Sequence, residues 1–118
     1  MLIDGNRCER IDNQCLIAEG PDSTAGDGAG SGASFDITFS HNRCDVHASQ
    51  AIEIDDVQRV RVVGNAITGT PEKAFSFQNN ATGALVAANT LAHQIRYEVG
   101  MDASSRPGYT GPAVGGPP

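Results

Sequence analysis

The 118-residue chain has no tryptophan, and phenylalanine and tyrosine together make up only 5% of it. Carbohydrate-binding surfaces usually need exposed aromatic platforms, so this scarcity counts against one. Basic residues are also few. Eight Lys and Arg face fourteen Asp and Glu, for a net charge of −6, and the cations are scattered. An acidic chain without a basic stripe argues against nucleic acid as the main partner. No apolar run approaches the length of a membrane-spanning helix, so no membrane partner is expected. Three cysteines is an odd number, which argues against a scaffold held wholly by disulfides. The opening "MLIDGNRCERIDNQ" has no basic segment followed by an apolar stretch, so no secretory leader is expected and synthesis is placed in the cytoplasm. No segment shows a long 3.6-residue apolar stripe, so helix is at most minor.

What is present is a repeat. "VRVVGNAITG" at 60–69 shares its shape with "ITFSHNRCDV", "ALVAANTLAH" and the opening "MLIDGNRCER". Aligning the corner residue places Asn6, Asn42, Asn65 and Asn89 in one register, at spacings of 36, 23 and 24 residues. Five and three residues before each Asn stand Met1/Ile3, Ile37/Phe39, Val60/Val62 and Ala84/Val86. Two residues after it stand Cys8, Cys44, Ile67 and Leu91. Ten and twelve after it stand Leu16/Ala18, Ile52/Ile54, Phe75/Phe77 and Val99/Met101. Residues between these positions, such as Asp4, Ser40, Arg61 and Glu53, alternate outward as a pleated strand requires.

A strand that returns to the same register after about two dozen residues runs parallel to its previous copy. Turns stacked ~4.8 Å apart then satisfy one another's backbone. The expected fold is all-β: a single-domain parallel β-helix of about 3–4 turns over residues 1–103. The asparagines would form a stacked structural ladder.

The corner motif and period resemble the right-handed parallel β-helix superfamily that includes pectate lyases and phage tailspikes. The resemblance covers roughly residues 1–101. It implies architecture rather than activity, since the motif is a structural corner.

Two segments depart from the repeat. The first turn carries about thirteen extra residues within "EGPDSTAGDGAGSGAS", an insertion at 19–34 read as a Gly-rich corner loop. Asp22 and Asp27 match no calcium loop. The Pro/Gly-rich tail 104–118 reads as an extended or disordered arm, with Tyr109 and Val114 as anchors for a partner.

No catalytic, cofactor or metal site assembles in the sequence. Cys8 and Cys44 share a repeat position on adjacent turns, close enough for a bridge; with no secretory leader expected, buried reduced thiols are preferred, and Cys15 is left over at an outward parity. His41, His47 and His93 lack metal-ligand spacing. "CDVH" at 44–47 resembles the Asp-x-His of β-helix epimerases but lacks the surrounding pattern, and is read as coincidence. Sugar hydrolysis needs paired carboxylates, yet the row of Glu53 reads Ile17, Ser76 and Gly100 elsewhere. A lyase would need a base with calcium-binding acids, and the row of Arg61 reads Leu2, Thr38 and Leu85.

The outward rows are instead small or apolar, and Leu2, Val63, Leu85 and Ala87 are expected to form one interface patch. The leading expectation is therefore a non-enzymatic structural protein that self-associates, as a trimer by analogy with tailspike-type helices. It would sit on a larger protein surface such as a phage capsid shell, as a decorating (cement) protein at the virion surface. The alternative is a fragment or small member of a carbohydrate-active β-helix family (lyase, hydrolase or epimerase), or a polysaccharide-binding module.

Overall fold

The computed structural model describes residues 1–20 and 36–118. Turn one comprises β1 (Leu2–Asp4), β2 (Arg7–Ile11) and β3 (Leu16–Glu19). Turn two comprises β4 (Thr38–Ser40), β5 (Arg43–Val46) and β6 (Gln50–Asp55). Turn three comprises β7 (Arg61–Val63), β8 (Ala66–Gly69) and β9 (Lys73–Gln78). Turn four comprises β10 (Leu85–Ala87), β11 (Thr90–Leu91) and β12 (Tyr97–Met101). A 3-10 turn, Ala103–Ser105, and a last strand, β13 (Val114–Gly116), follow. Like strands stack into three sheets ordered β1-β4-β7-β10, β2-β5-β8-β11 and β3-β6-β9-β12-β13. Every pairing is parallel. This is the parallel β-helix that the repeat implies, with about four turns.

The register follows the repeat. Ile3, Phe39, Val62 and Val86 share one rung position, and Leu16, Ile52, Phe75 and Val99 another. Phe39, Phe75 and Phe77 are fully buried, so these three rings fill the tube rather than line a surface. Each turn bends at the residue before its asparagine. Gly5, His41, Gly64 and Ala88 there have φ of 70°, 52°, 71° and 57°. Glycine takes this left-handed geometry freely, whereas His41 and Ala88 adopt it against a cost of ~1 kcal/mol each. The cost is tolerated because the corner sets up the ladder.

The tail differs from the expected arm. Tyr109 and Val114 pack against the chain's own core, and β13 pairs with β12. Thr110 bridges to Leu85 in parallel, donating to the Ala84 carbonyl while accepting from the Val86 amide, both at 2.9 Å. Residues 104–118 thus form a partial fifth turn over the end of the tube. Proline excludes ladder positions only where an N–H is required, and here the paired residues are Thr110, Val114 and Gly116. The insertion at 19–34, with Asp22 and Asp27, lies outside the described residues except for Glu19 and Gly20.

Parity also fails at one place. Ala51 and Ala74 lie out of phase with the inward positions of β6 and β9, yet both are fully buried and belong to the core. Cys15 lies at a bend before β3, where pleat alternation does not hold, and its sulfur is disulfide-bonded to Cys8 with Cα atoms 5.7 Å apart. The expectation of a Cys8 and Cys44 thiol pair is corrected accordingly. Cys44 alone remains a free, buried thiol.

Candidate functional site

The four asparagines stack as a continuous ladder. The Asn42 amide oxygen accepts from the Asn6 backbone N–H at 2.9 Å and the Asn6 side chain at 3.0 Å. Asn65 accepts in the same two ways from Asn42, and Asn89 from Asn65. The side-chain nitrogens of Asn42, Asn65 and Asn89 also donate to the carbonyls of Ile3, Phe39 and Val62. Asn42 and Asn65 are fully buried. Polar groups so consumed have no capacity left for a ligand, so the ladder is structural.

A second polar column stands at the end of the third sheet. Asp55 is buried and accepts from the Gln78 and Asn79 side chains, each at 2.8 Å. Asp102 accepts from the Asn79 amide at 2.9 Å and the Ser105 amide at 3.0 Å. Burial opposes ionisation of Asp102, but these bonds and one from Ser104 outweigh it and hold its carboxyl below the usual range. Asp55 therefore serves the corner.

The candidate interface residues divide between two places. Leu2, Thr38, Arg61 and Leu85 form one outward row, and Asp4, Ser40, Val63 and Ala87 the next. Leu85, Val63 and Ala87 are neighbours and half-buried, with Thr110 of the tail beside Leu85. Leu2 lies three rungs away, ~14 Å at the usual strand spacing, with exposed Arg61 between. The expected single patch is therefore not formed. The three exposed large apolar residues among those described are Met1, Leu2 and Ile17, at 79%, 66% and 43% exposure. All belong to turn one, Leu2 on β1 and Ile17 on β3. Among the described residues, no strand pairs with the outer edges of β1, β2 and β3.

Electrostatics at this end are local. Hydrogen bonds from Ser40 and from His41 hold the Asp4 carboxyl below its ordinary range. Asp36 is lowered by its bidentate pair with Arg59 at 2.9 and 3.0 Å, and its carbonyl accepts from the chain's amino group at 3.0 Å. On the third sheet, burial pushes the Glu53 carboxyl up, with Asp55 and Glu19 adding to it. Burial likewise raises Glu98.

The second sheet carries a groove of about 360 Å³, lined by Arg7, Glu9, Arg10, Arg43, Asp45 and Thr68 among others. It forms where β2 spends one more residue than β5 between paired positions, Cys8↔Cys44 and Ile11↔Val46. Arg10, at φ 53°, marks the bulge. Arg7 is paired with Glu9 at 2.7 Å. The lining mixes both signs of charge and offers neither an activated nucleophile nor an aromatic platform. In "CDVH", His47 is 3.7 Å from Asp45 and hydrogen-bonded to Thr70 at 2.9 Å. Tyr97 is covered by Arg96, 5.1 Å from its ring centre, and Gly115 and Gly116 lie close against the ring. The chain matches no family model, no curated protein and no solved structure.

Proposed function

We propose that the chain is a non-enzymatic assembly protein whose first turn binds a second copy of itself. The observation that carries this reading is that, among the described residues, the exposed large apolar side chains all belong to turn one. Leu2 and Ile17 lie on different sheets of that turn, so a partner meeting the end of the tube reaches both, whereas one lying along a side reaches one. Among the described residues the outer edges of β1, β2 and β3 are unpaired, and they add backbone donors and acceptors to the same end. The opposite end carries the chain's own tail, so head-to-tail stacking would first displace β13. Head-to-head contact remains, and it closes as a two-fold pair. The exposure pattern thus favours a pair over the trimer suggested by analogy. A role in decorating a larger protein shell, such as a phage capsid, stays compatible with this reading and draws on the resemblance to tailspike-type right-handed helices.

Sedimentation velocity over a range of concentrations tests it. A dimer is expected for the intact chain, and Leu2→Asp with Ile17→Asp should convert it to monomer while circular dichroism stays unchanged. A chain that is monomeric at high concentration overturns the reading. An oligomer indifferent to the double substitution overturns the end-on face.

A further inference from the structure

We propose that Cys8, Cys15 and Cys44 form a redox-gated site for one soft, thiophilic cation of the Cu(I) class. Their sulfurs all lie within 4.8 Å of one another, the one group of three or more potential metal-binding side chains that converges among the described residues. Three sulfurs bonded to one ion at ~2.3 Å sit ~4 Å apart, so only small shifts would close the site around an ion.

The fold explains the convergence. Cys8 and Cys44 are partners on adjacent rungs of β2 and β5, and the bend before β3 turns Cys15 toward them. The donor set selects the ion. All-sulfur ligation favours soft cations such as Cu(I). No His or carboxylate joins the group, and a structural zinc site normally closes with four protein ligands. Cys8 and Cys15 are half-exposed on the end turn, while Cys44 is buried beneath them. Entry is therefore from the open end.

The Cys8–Cys15 disulfide is the gate. In the oxidised chain two donors are consumed, and Cys44 alone cannot hold the ion. A dithiol reductant delivers two electrons and two protons to Cys8 and Cys15 and leaves as its own cyclic disulfide. Cu(I) then replaces thiol protons, which pass to solvent. This inference is independent of the assembly reading, since it concerns sulfurs inside the turn.

The test is a titration of the full chain, reduced with a dithiol and desalted without oxygen, using Cu(I) supplied as its acetonitrile complex against a chromophoric Cu(I) chelator. One ion per chain is expected, with three sulfurs around copper by X-ray absorption and no uptake by the oxidised chain. Cys44→Ala should weaken binding at least tenfold and leave two sulfurs. Equal uptake by the oxidised chain, two sulfurs around copper in the unaltered protein, or unchanged affinity in Cys44→Ala overturns the proposal. So does Zn²⁺ outcompeting Cu(I), or loss of β circular dichroism on reduction alone. The coordination number is read on the unaltered sequence, so the result stands even where the variant folds poorly.

Discussion

Turns one and three of this tube are built from the same repeat, yet they differ in nearly every physical respect. Leu16 and Phe75 occupy the same position, as do Cys8 and Ile67, and Asn6 and Asn65. Phe75, Ile67 and Asn65 are buried almost completely, whereas Leu16 and Cys8 are half-exposed and Asn6 is exposed. The difference lies in the neighbours and not in the residues alone. An interior rung is covered above and below, so large side chains and fully bonded amides cost nothing there. An end rung is covered on one side only. The fourth turn is covered by the tail, and the first turn is cross-linked within itself.

That contrast can be broken by paired substitutions. Phe75→Ala should destabilise by ~3–5 kcal/mol, as large core truncations do, and Leu16→Ala by clearly less, under ~2 kcal/mol, because its site is already part-hydrated. Urea unfolding of both proteins reads the difference, and equal losses would dissolve the distinction between the turns. Asn65→Ala should cost ~3 kcal/mol, since it strands the partners of a buried network, while Asn6→Ala, at the exposed end, should cost ~1 kcal/mol or less. Reducing Cys8–Cys15 closes no long loop, seven residues apart in sequence, and should cost ~2 kcal/mol. Hydrogen exchange should then rise most in turn one, while amides of turn three rise only by the lost global stability.

The smallest expected effect is at Glu53. Burial, first, and the charges of Asp55 and Glu19 push its carboxyl up, so the folded chain holds that proton more tightly than the unfolded chain. Its contribution is therefore most favourable at low pH and declines as pH rises from the unfolded value through the folded one. Glu53→Gln should raise the urea midpoint slightly at pH 7 and leave it unchanged near pH 3. The replacement amide can still accept from Gln50, which bonds Glu53 at 2.7 Å.

The fold was legible because a parallel solenoid writes its register into the chain. Asparagine at each corner and paired apolar residues at fixed offsets suffice to align the strands, and the inward Phe39, Phe75 and Phe77 follow from parity. The disulfide was not legible, because Cys15 sits at a bend where alternation lapses, and its partner is seven residues back rather than one turn on. The tail was misread for a related reason. Its proline and glycine content describes a chain that lacks independent structure, but the edge of β12 supplies the pairing partner from outside. Leu2 was grouped with Leu85 because a row of equivalent positions does not reveal that its two ends lie on opposite ends of the tube.

Backbone hydrogen exchange at Asn42 and Asn65, followed by NMR, tests the stacked ladder most directly. Each of these amides donates to an asparagine oxygen one turn further along, at 3.0 and 2.8 Å. Both should exchange only through global unfolding, among the slowest in the protein. Exchange of either within minutes under native conditions would contradict the ladder and the coil it organises.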